Sequence, residues 1–303
     1  MKRLLKYLII LGAIGAGVAW FLTAPKQMAS LPDHTPDIEN GELVFWTGGC
    51  VACHATKDAE GDDLLVLTGG LEFVTDFGTF YAPNISPDPD HGIGDWSALD
   101  LVNAMKFGTS PDGAHYYPAF PYTSYARMEV TDIIDLKAFL DTLPATEHQP
   151  PAHDVGFPFN IRRSLGGWKL LNMSDDWVAE VTDPKAVRGR EIVEGAGHCS
   201  ECHTPRDPLG GLRKGQWLAG GPNPDGEGRI PNITPSDDGI GSWAEEDIAY
   251  YLETGFTPDF DSVGGSMGEV VDNMSKLPAE DREAIAAYLK SVPALPDSPA
   301  TTD

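Results

Sequence analysis

Cys50-Val51-Ala52-Cys53-His54 is answered about half the chain later by Cys199-Ser200-Glu201-Cys202-His203. Two thiols three positions apart, with an imidazole directly after them, match the spacing that bonds both vinyl groups of a haem and sets a histidine beneath its iron. The pattern predicts two covalently bound haem c groups, one on Cys50, Cys53 and His54, the other on Cys199, Cys202 and His203. The chain has four cysteines and this reading uses all of them. Paired Cys-X-X-Cys motifs also build zinc sites, but zinc needs no histidine straight after each pair. A separation of about 145 residues also exceeds the spacing of a zinc module.

The surroundings of the two motifs repeat in the same order at an offset of about 148 residues. Gly41-Glu42-Leu43-Val44-Phe45 corresponds to Gly189-Arg190-Glu191-Ile192-Val193, each a short helix delivering the cysteines. Leu67-Thr68-Gly69-Gly70 corresponds to Leu218-Ala219-Gly220-Gly221, and Pro83-Asn84-Ile85-Ser86-Pro87 to Pro231-Asn232-Ile233-Thr234-Pro235. Gly92-Ile93-Gly94-Asp95-Trp96 matches Gly239-Ile240-Gly241-Ser242-Trp243. Each unit closes on a helix, Thr131 to Leu143 and Ala279 to Val292, with apolar residues at helical spacing and a proline just after. Shorter helices are expected at Ser97 to Phe107 and Glu245 to Thr254, each stopped by glycine. Little suggests a sheet. The segment between the units, with Phe157, Phe159 and Trp168, is too aromatic for a free linker and is expected to pack across both.

Ahead of the first unit, Met1-Lys2-Arg3-Leu4-Leu5-Lys6 precedes an uncharged run from Tyr7 to Ala24. A basic end followed by about 18 apolar residues fits export with the N-terminus left in the cytoplasm, and the run is nearer a membrane span than a signal core. Pro25 disfavours cleavage after Ala24, so an uncleaved anchor is expected. The formal charge of −25 makes nucleic acid an improbable partner. The same acidity suits either docking to a basic protein or solubility. At 303 residues and 41% hydrophobic, the chain can bury cores for two domains without disulfides.

A haem iron with histidine on one face needs a second ligand if it is to serve as a closed electron carrier, and methionine is the usual one. Met128, just ahead of the last helix, is the candidate in the first unit, while Met105 reads as core. In the second unit Met267, preceded by Gly264-Gly265, competes with Met274, and residue chemistry does not separate them. The carbonyls of Pro83 and Pro231 are candidate acceptors for the second ring nitrogen of each ligand histidine. Trp96 and Trp243 read as propionate donors or core. His91, His115, His148 and His153 read as exposed, with His115 the rival ligand. His198, next to Cys199, is too constrained to reach an iron from the far side.

The chain resembles the cytochrome c subunits of membrane-bound alcohol- and gluconate-type dehydrogenases, and the dihaem cytochromes related to them. The resemblance rests on the two haem motifs, on Asn84-Ile85-Ser86-Pro87 with Gly92-Ile93-Gly94, on Tyr122-Thr123-Ser124-Tyr125-Ala126-Arg127-Met128, and on Gly264-Gly265-Ser266-Met267 with Glu269-Val270-Val271. It spans nearly all of residues 37 to 293. By this resemblance the fold is mostly α, two tandem class I-like cytochrome c domains behind an N-terminal transmembrane helix. It divides the chain into an anchor (1–25), a linker (26–36), a first domain (37–144), an interdomain segment (145–184), a second domain (185–295) and a tail (296–303). The axial methionines it implies are Met128 and Met267. Those dehydrogenase subunits carry three haem domains and this chain two, which weakens any transfer of quinone reduction or of a particular partner.

Two functions follow as expectations. One is a single-pass protein of the bacterial inner membrane, its bulk in the periplasm, relaying single electrons between a periplasmic dehydrogenase and a cytochrome or terminal oxidase. The other is a dihaem enzyme of the peroxidase kind with one open iron, which would need a haem without a sixth ligand.

Overall fold

In the computed structural model, residues 1–223 and 228–299 are described. Helix α1 (Lys2–Leu22) has no buried residue and is long and apolar enough to cross a membrane.

The first unit begins with α2 (Ile38–Thr47), whose N-terminus is capped by the Asp37 carboxylate accepting from the N–H groups of Glu39 and Asn40. A left-handed Gly49 (φ 57°) then turns the chain into α3 (Cys50–His54), the first Cys-X-X-Cys-His turn. A hairpin, β1 (Glu72–Thr75) and β2 (Gly78–Tyr81), pairs Phe73 with Phe80. Next come α4 (Ala98–Phe107), the single turn α5 (Tyr122–Tyr125) and the closing helix α6 (Val130–Leu140). Ser97 and Asp100 form a reciprocal capping box at the start of α4. Helix α7 (Leu165–Asn172) lies in the segment between the units.

The second unit repeats the plan. Helix α8 (Pro184–Arg190) runs on through a π-helical stretch (Glu191–Ala196) to α9 (Ser200–His203), the second haem-type turn. A minimal hairpin of β3 (Gly221–Pro222) and β4 (Arg229–Ile230) follows, then α10 (Glu245–Thr254), α11 (Met267–Met274) and α12 (Ala279–Ser291).

Each unit is held by a crossing of its first and last helices, and a glycine makes the crossing possible. A Cβ on Gly41 would lie 2.1 Å from the Asp135 carbonyl oxygen of α6, and one on Gly189 would lie 1.9 Å from that of Ala284 on α12. Around these contacts two separate cores form. Phe45, Val102, Ile133 and Leu67 fill the first, and Ile192, Val193, Leu218 and Tyr288 the second.

Several expectations need correcting. Two short hairpins are present although the sequence suggests little sheet; their strands are four and two residues long, too short for an alternating pattern to register. His115 is buried, not exposed. The stretch after α1 is docked rather than loose: the Met28 N–H donates to Asn103 Oδ1 at 2.6 Å, and His34 Nε2 lies 2.7 Å from Asp135 Oδ1. Ser298 is likewise buried, its hydroxyl donating to the Gly220 carbonyl, while residues 300–303 of the expected tail fall outside the described residues.

Candidate haem sites

Helix α3 is barely more than one turn, so Cys50 and Cys53 project from neighbouring positions on one face with His54 beside them. No disulfide joins them. Cys50, Cys53 and Cys199 are half-buried and Cys202 is exposed, so their surfaces remain open to reaction. Burial pushes the thiols of Cys50 and Cys199 up to about 12 and that of Cys53 to about 11, and these groups are neutral at physiological pH.

The histidines are aimed the same way in both units. His54 Nδ1 lies 2.7 Å from the Pro83 carbonyl oxygen and His203 Nδ1 lies 2.8 Å from that of Pro231. A carbonyl can only accept, so Nδ1 carries the hydrogen and Nε2 is left with its lone pair, the form that ligates iron. Burial lowers both histidine pKa values and keeps the rings neutral. Duplicated backbone bonds fix the loops: the Gly69 N–H donates to the His54 carbonyl and the Gly220 N–H to the His203 carbonyl, each at 2.8 Å. Asn84 and Asn232 tie the proline loops to the chain beyond each closing helix, through the Thr146 and Leu295 carbonyls.

The two units also meet around the motifs. Thr123 and Ser124 of α5 donate to Glu201 inside the second motif, at 2.9 and 3.1 Å, and Arg206 closes on the same carboxylate at 2.5 Å. His198 sits in the left-handed place that Gly49 holds in the first unit (φ 37°), with Nε2 3.2 Å from the Gly48 carbonyl and its ring centroid 5.7 Å from that of Tyr125. The Cys53 thiol is raised by burial first, then by Glu269 and Cys202 of the second unit. None of these contacts across the units is visible in the local sequence, although Glu201 lies within a motif that is.

The methionines divide by position. Met105 and Met128 are buried in the first core and Met274 in the second, whereas Met267 is half-buried at the start of α11 behind a left-handed Gly265 (φ 61°). Matching backbone bonds set the register of the repeat. From Gly92 to Tyr116 the offset is 147: the Tyr116 N–H donates to Gly108 and the Val263 N–H to Gly255, both at 2.7 Å. After α5 it is 149: the Met128 N–H donates to Tyr125 and the Leu277 N–H to Met274. Met128 therefore occupies the place of Leu277, and carrying the 147 offset forward puts Phe120 opposite Met267. His115 faces the end of α1, its Nε2 3.0 Å from the Thr23 carbonyl oxygen and 3.2 Å from Arg163 Nη1.

The residues present fit a haem in both units: two thiols on one turn, a neutral imidazole whose Nδ1 is bonded to a proline carbonyl, and an apolar core beside each. No group of three or more His, Cys, Asp and Glu side chains placed to hold a metal ion is formed among the described residues, so the zinc arrangement is not assembled.

A cytochrome c family model matches residues 38–144 and 186–293. The chain belongs to the cytochrome c family, and it is a dihaem electron-transfer cytochrome with two covalently bound haem c groups. It is 55% identical over 301 residues to a protein of Cereibacter sphaeroides named diheme cytochrome c-type, covering 97% of this chain and 100% of that one. It is 36% identical over 272 residues to the cytochrome c subunit of alcohol dehydrogenase (quinone) of Gluconobacter oxydans, covering 86% of this chain and 55% of that subunit. With the fructose dehydrogenase cytochrome subunit of Gluconobacter japonicus it shares 34% identity over 288 residues, 90% of this chain and 56% of the subunit. The chain thus spans about half the length of these two dehydrogenase subunits.

Proposed function

We propose that this cytochrome is a membrane-anchored periplasmic relay, taking single electrons from a dehydrogenase and passing them to a cytochrome or terminal oxidase. In this reading Cys50 and Cys53 hold the first haem and His54 ligates its iron, while Cys199, Cys202 and His203 do the same for the second, with Met267 as its sixth ligand. Met128 is the methionine that sequence order offers the first iron, and its register with Leu277 weighs against that role. The domain boundaries proposed are 37–144 and 185–295. When bound, each haem supplies a one-electron iron couple. The protein orients each imidazole through a proline carbonyl, and it clasps α5 of the first unit to the second motif helix through Glu201.

The observation that carries the relay reading is the contact of the two units around their motifs, since Thr123 and Ser124 of α5 bond to Glu201, and His198, next to Cys199, bonds to the Gly48 carbonyl two residues before Cys50. Anchoring is supported by the way the end of α1 is built into the body. Arg163 and His115 both bond to the Thr23 carbonyl, and a Cβ on Gly166 would lie 2.1 Å from that oxygen. Arg163 also stacks on Trp20, 4.5 Å from the ring centroid. Removal of residues 1–24 would take away the Thr23 carbonyl that both groups bond and the Trp20 ring under Arg163. Fractionation of a producing cell tests this: the full-length chain should stay with membranes after a high-salt wash, and release of a shortened chain to the soluble fraction would refute the anchor.

A further inference from the structure

We infer that the first haem has no methionine on its distal side and offers an iron open to small diatomic ligands, with Phe120 standing where Met267 stands in the second unit. The inference rests on the proposed attachment of that haem to Cys50, Cys53 and His54.

The repeat carries the argument. The bridge between Thr109 and His115 corresponds to the one between Phe256 and Ser262, and the Gly113 N–H bond to Ser110 corresponds to that of Phe260 to Thr257, all at an offset of 147. The second unit then gains two residues before the turn that leads into its last helix. The counterpart of Met267 consequently falls within Pro118 to Phe120, and none of these three side chains has a lone pair to give a metal. Phe120 continues the 147 offset and copies the setting of Met267, for each is half-buried and packed against the edge of its own core.

Met128 is held in a different place. Its N–H is bonded to the Tyr125 carbonyl and its own carbonyl accepts from Lys106 Nζ, as the Leu277 carbonyl accepts from Arg282. Its side chain is buried in the first core, as that of Leu277 is in the second. Turning the sulfur out of that core would leave its place there empty. Met105 is buried in the core on α4, and the His115 ring is turned toward Thr23 and Arg163 at the end of α1. The ring cluster of Phe120 with Tyr116 and Tyr125, at 5.7 and 5.6 Å between centroids, walls the position with aromatic surface instead.

Carbon monoxide titration of the full-length dihaem protein, reduced anaerobically with dithionite and followed in the haem absorption bands, reads this directly. One carbon monoxide per chain is expected. Phe120→Met should abolish uptake and give the first haem a low-spin methionine-ligated spectrum, Met128→Leu should leave uptake at one, and Met267→Leu should raise it to two. No uptake by the native protein, with uptake appearing in Met128→Leu, would overturn the inference and restore Met128 as the ligand; uptake of two by the native protein would overturn it equally. If Phe120→Met does not fold, native stoichiometry and Met128→Leu still decide. The relay reading fails separately, by absence of reversible haem reduction in the native protein whatever its carbon monoxide uptake.

Discussion

Thr123 Oγ1 lies 2.9 Å from Glu201 Oε1, so a hydroxyl from α5 of the first unit is bonded to a residue between the two cysteines of the second. Burial pulls the Glu201 carboxyl upward, but the charge and bond of Arg206, His198 and the Thr123 hydroxyl together outweigh it and hold the group below its ordinary value. A depressed carboxyl contributes stability that is present above its unfolded value, about 4.3, and is lost as pH falls through the folded one. Glu201→Gln should therefore destabilise the protein at pH 7 by about 1–3 kcal/mol. In denaturant titrations repeated from pH 7 downward, the gap between native and variant should stay constant until about pH 4 and then close.

The imidazole bonds to the proline carbonyls should tune each iron. Pro83→Ala would let the loop move and weaken the His54 Nδ1–H bond, making the ring a poorer donor to oxidised iron. The potential of the first haem should rise by about 30 mV, equivalent to about 0.7 kcal/mol for one electron. The second haem, held by Pro231, should not shift. Spectroelectrochemistry of the variant separates the two waves.

Gly41 and Gly189 are the points where first and last helices touch. Gly41→Ala must push α2 off α6, and Gly189→Ala must push α8 off α12, because the obstructing atom is backbone in both cases. Each substitution should cost about 1–3 kcal/mol or more in denaturant unfolding, against the small gain that alanine gives in an open helix.

Gly166→Leu and Arg163→Ala act on the seat of the anchor. Both should expose the chain between Thr23 and Asp37 to limited proteolysis while leaving haem spectra unchanged. Equal protection in native and variants would show that the end of α1 is not held there.

Much of this architecture was legible in the sequence because its signals are local. Two Cys-X-X-Cys-His turns, the Asn84 and Asn232 loops, and closing helices with apolar residues at helical spacing all announce themselves within a few positions. The closing helices differ from expectation mainly in their ends, Val130–Leu140 against Thr131 to Leu143 in the first unit. What stayed hidden depends on distance or on counting. His115 looked exposed because nothing near it shows that Thr23 and Gly166 close over it. The Glu201 clasp joins residues 78 apart in sequence. Met128 looked like an axial ligand because it precedes the last helix; only the backbone bonds of Tyr125 and Met274 reveal that it keeps step with Leu277.

The most direct test is an equilibrium redox titration of the full-length protein, followed in the haem bands. Two reversible one-electron waves of equal amplitude are expected, with the first haem at the lower potential because it lacks the methionine that raises the second. Cys202→Ser should disturb only the upper wave. A single wave, or two at one shared potential, would contradict a relay built from two differently ligated haems.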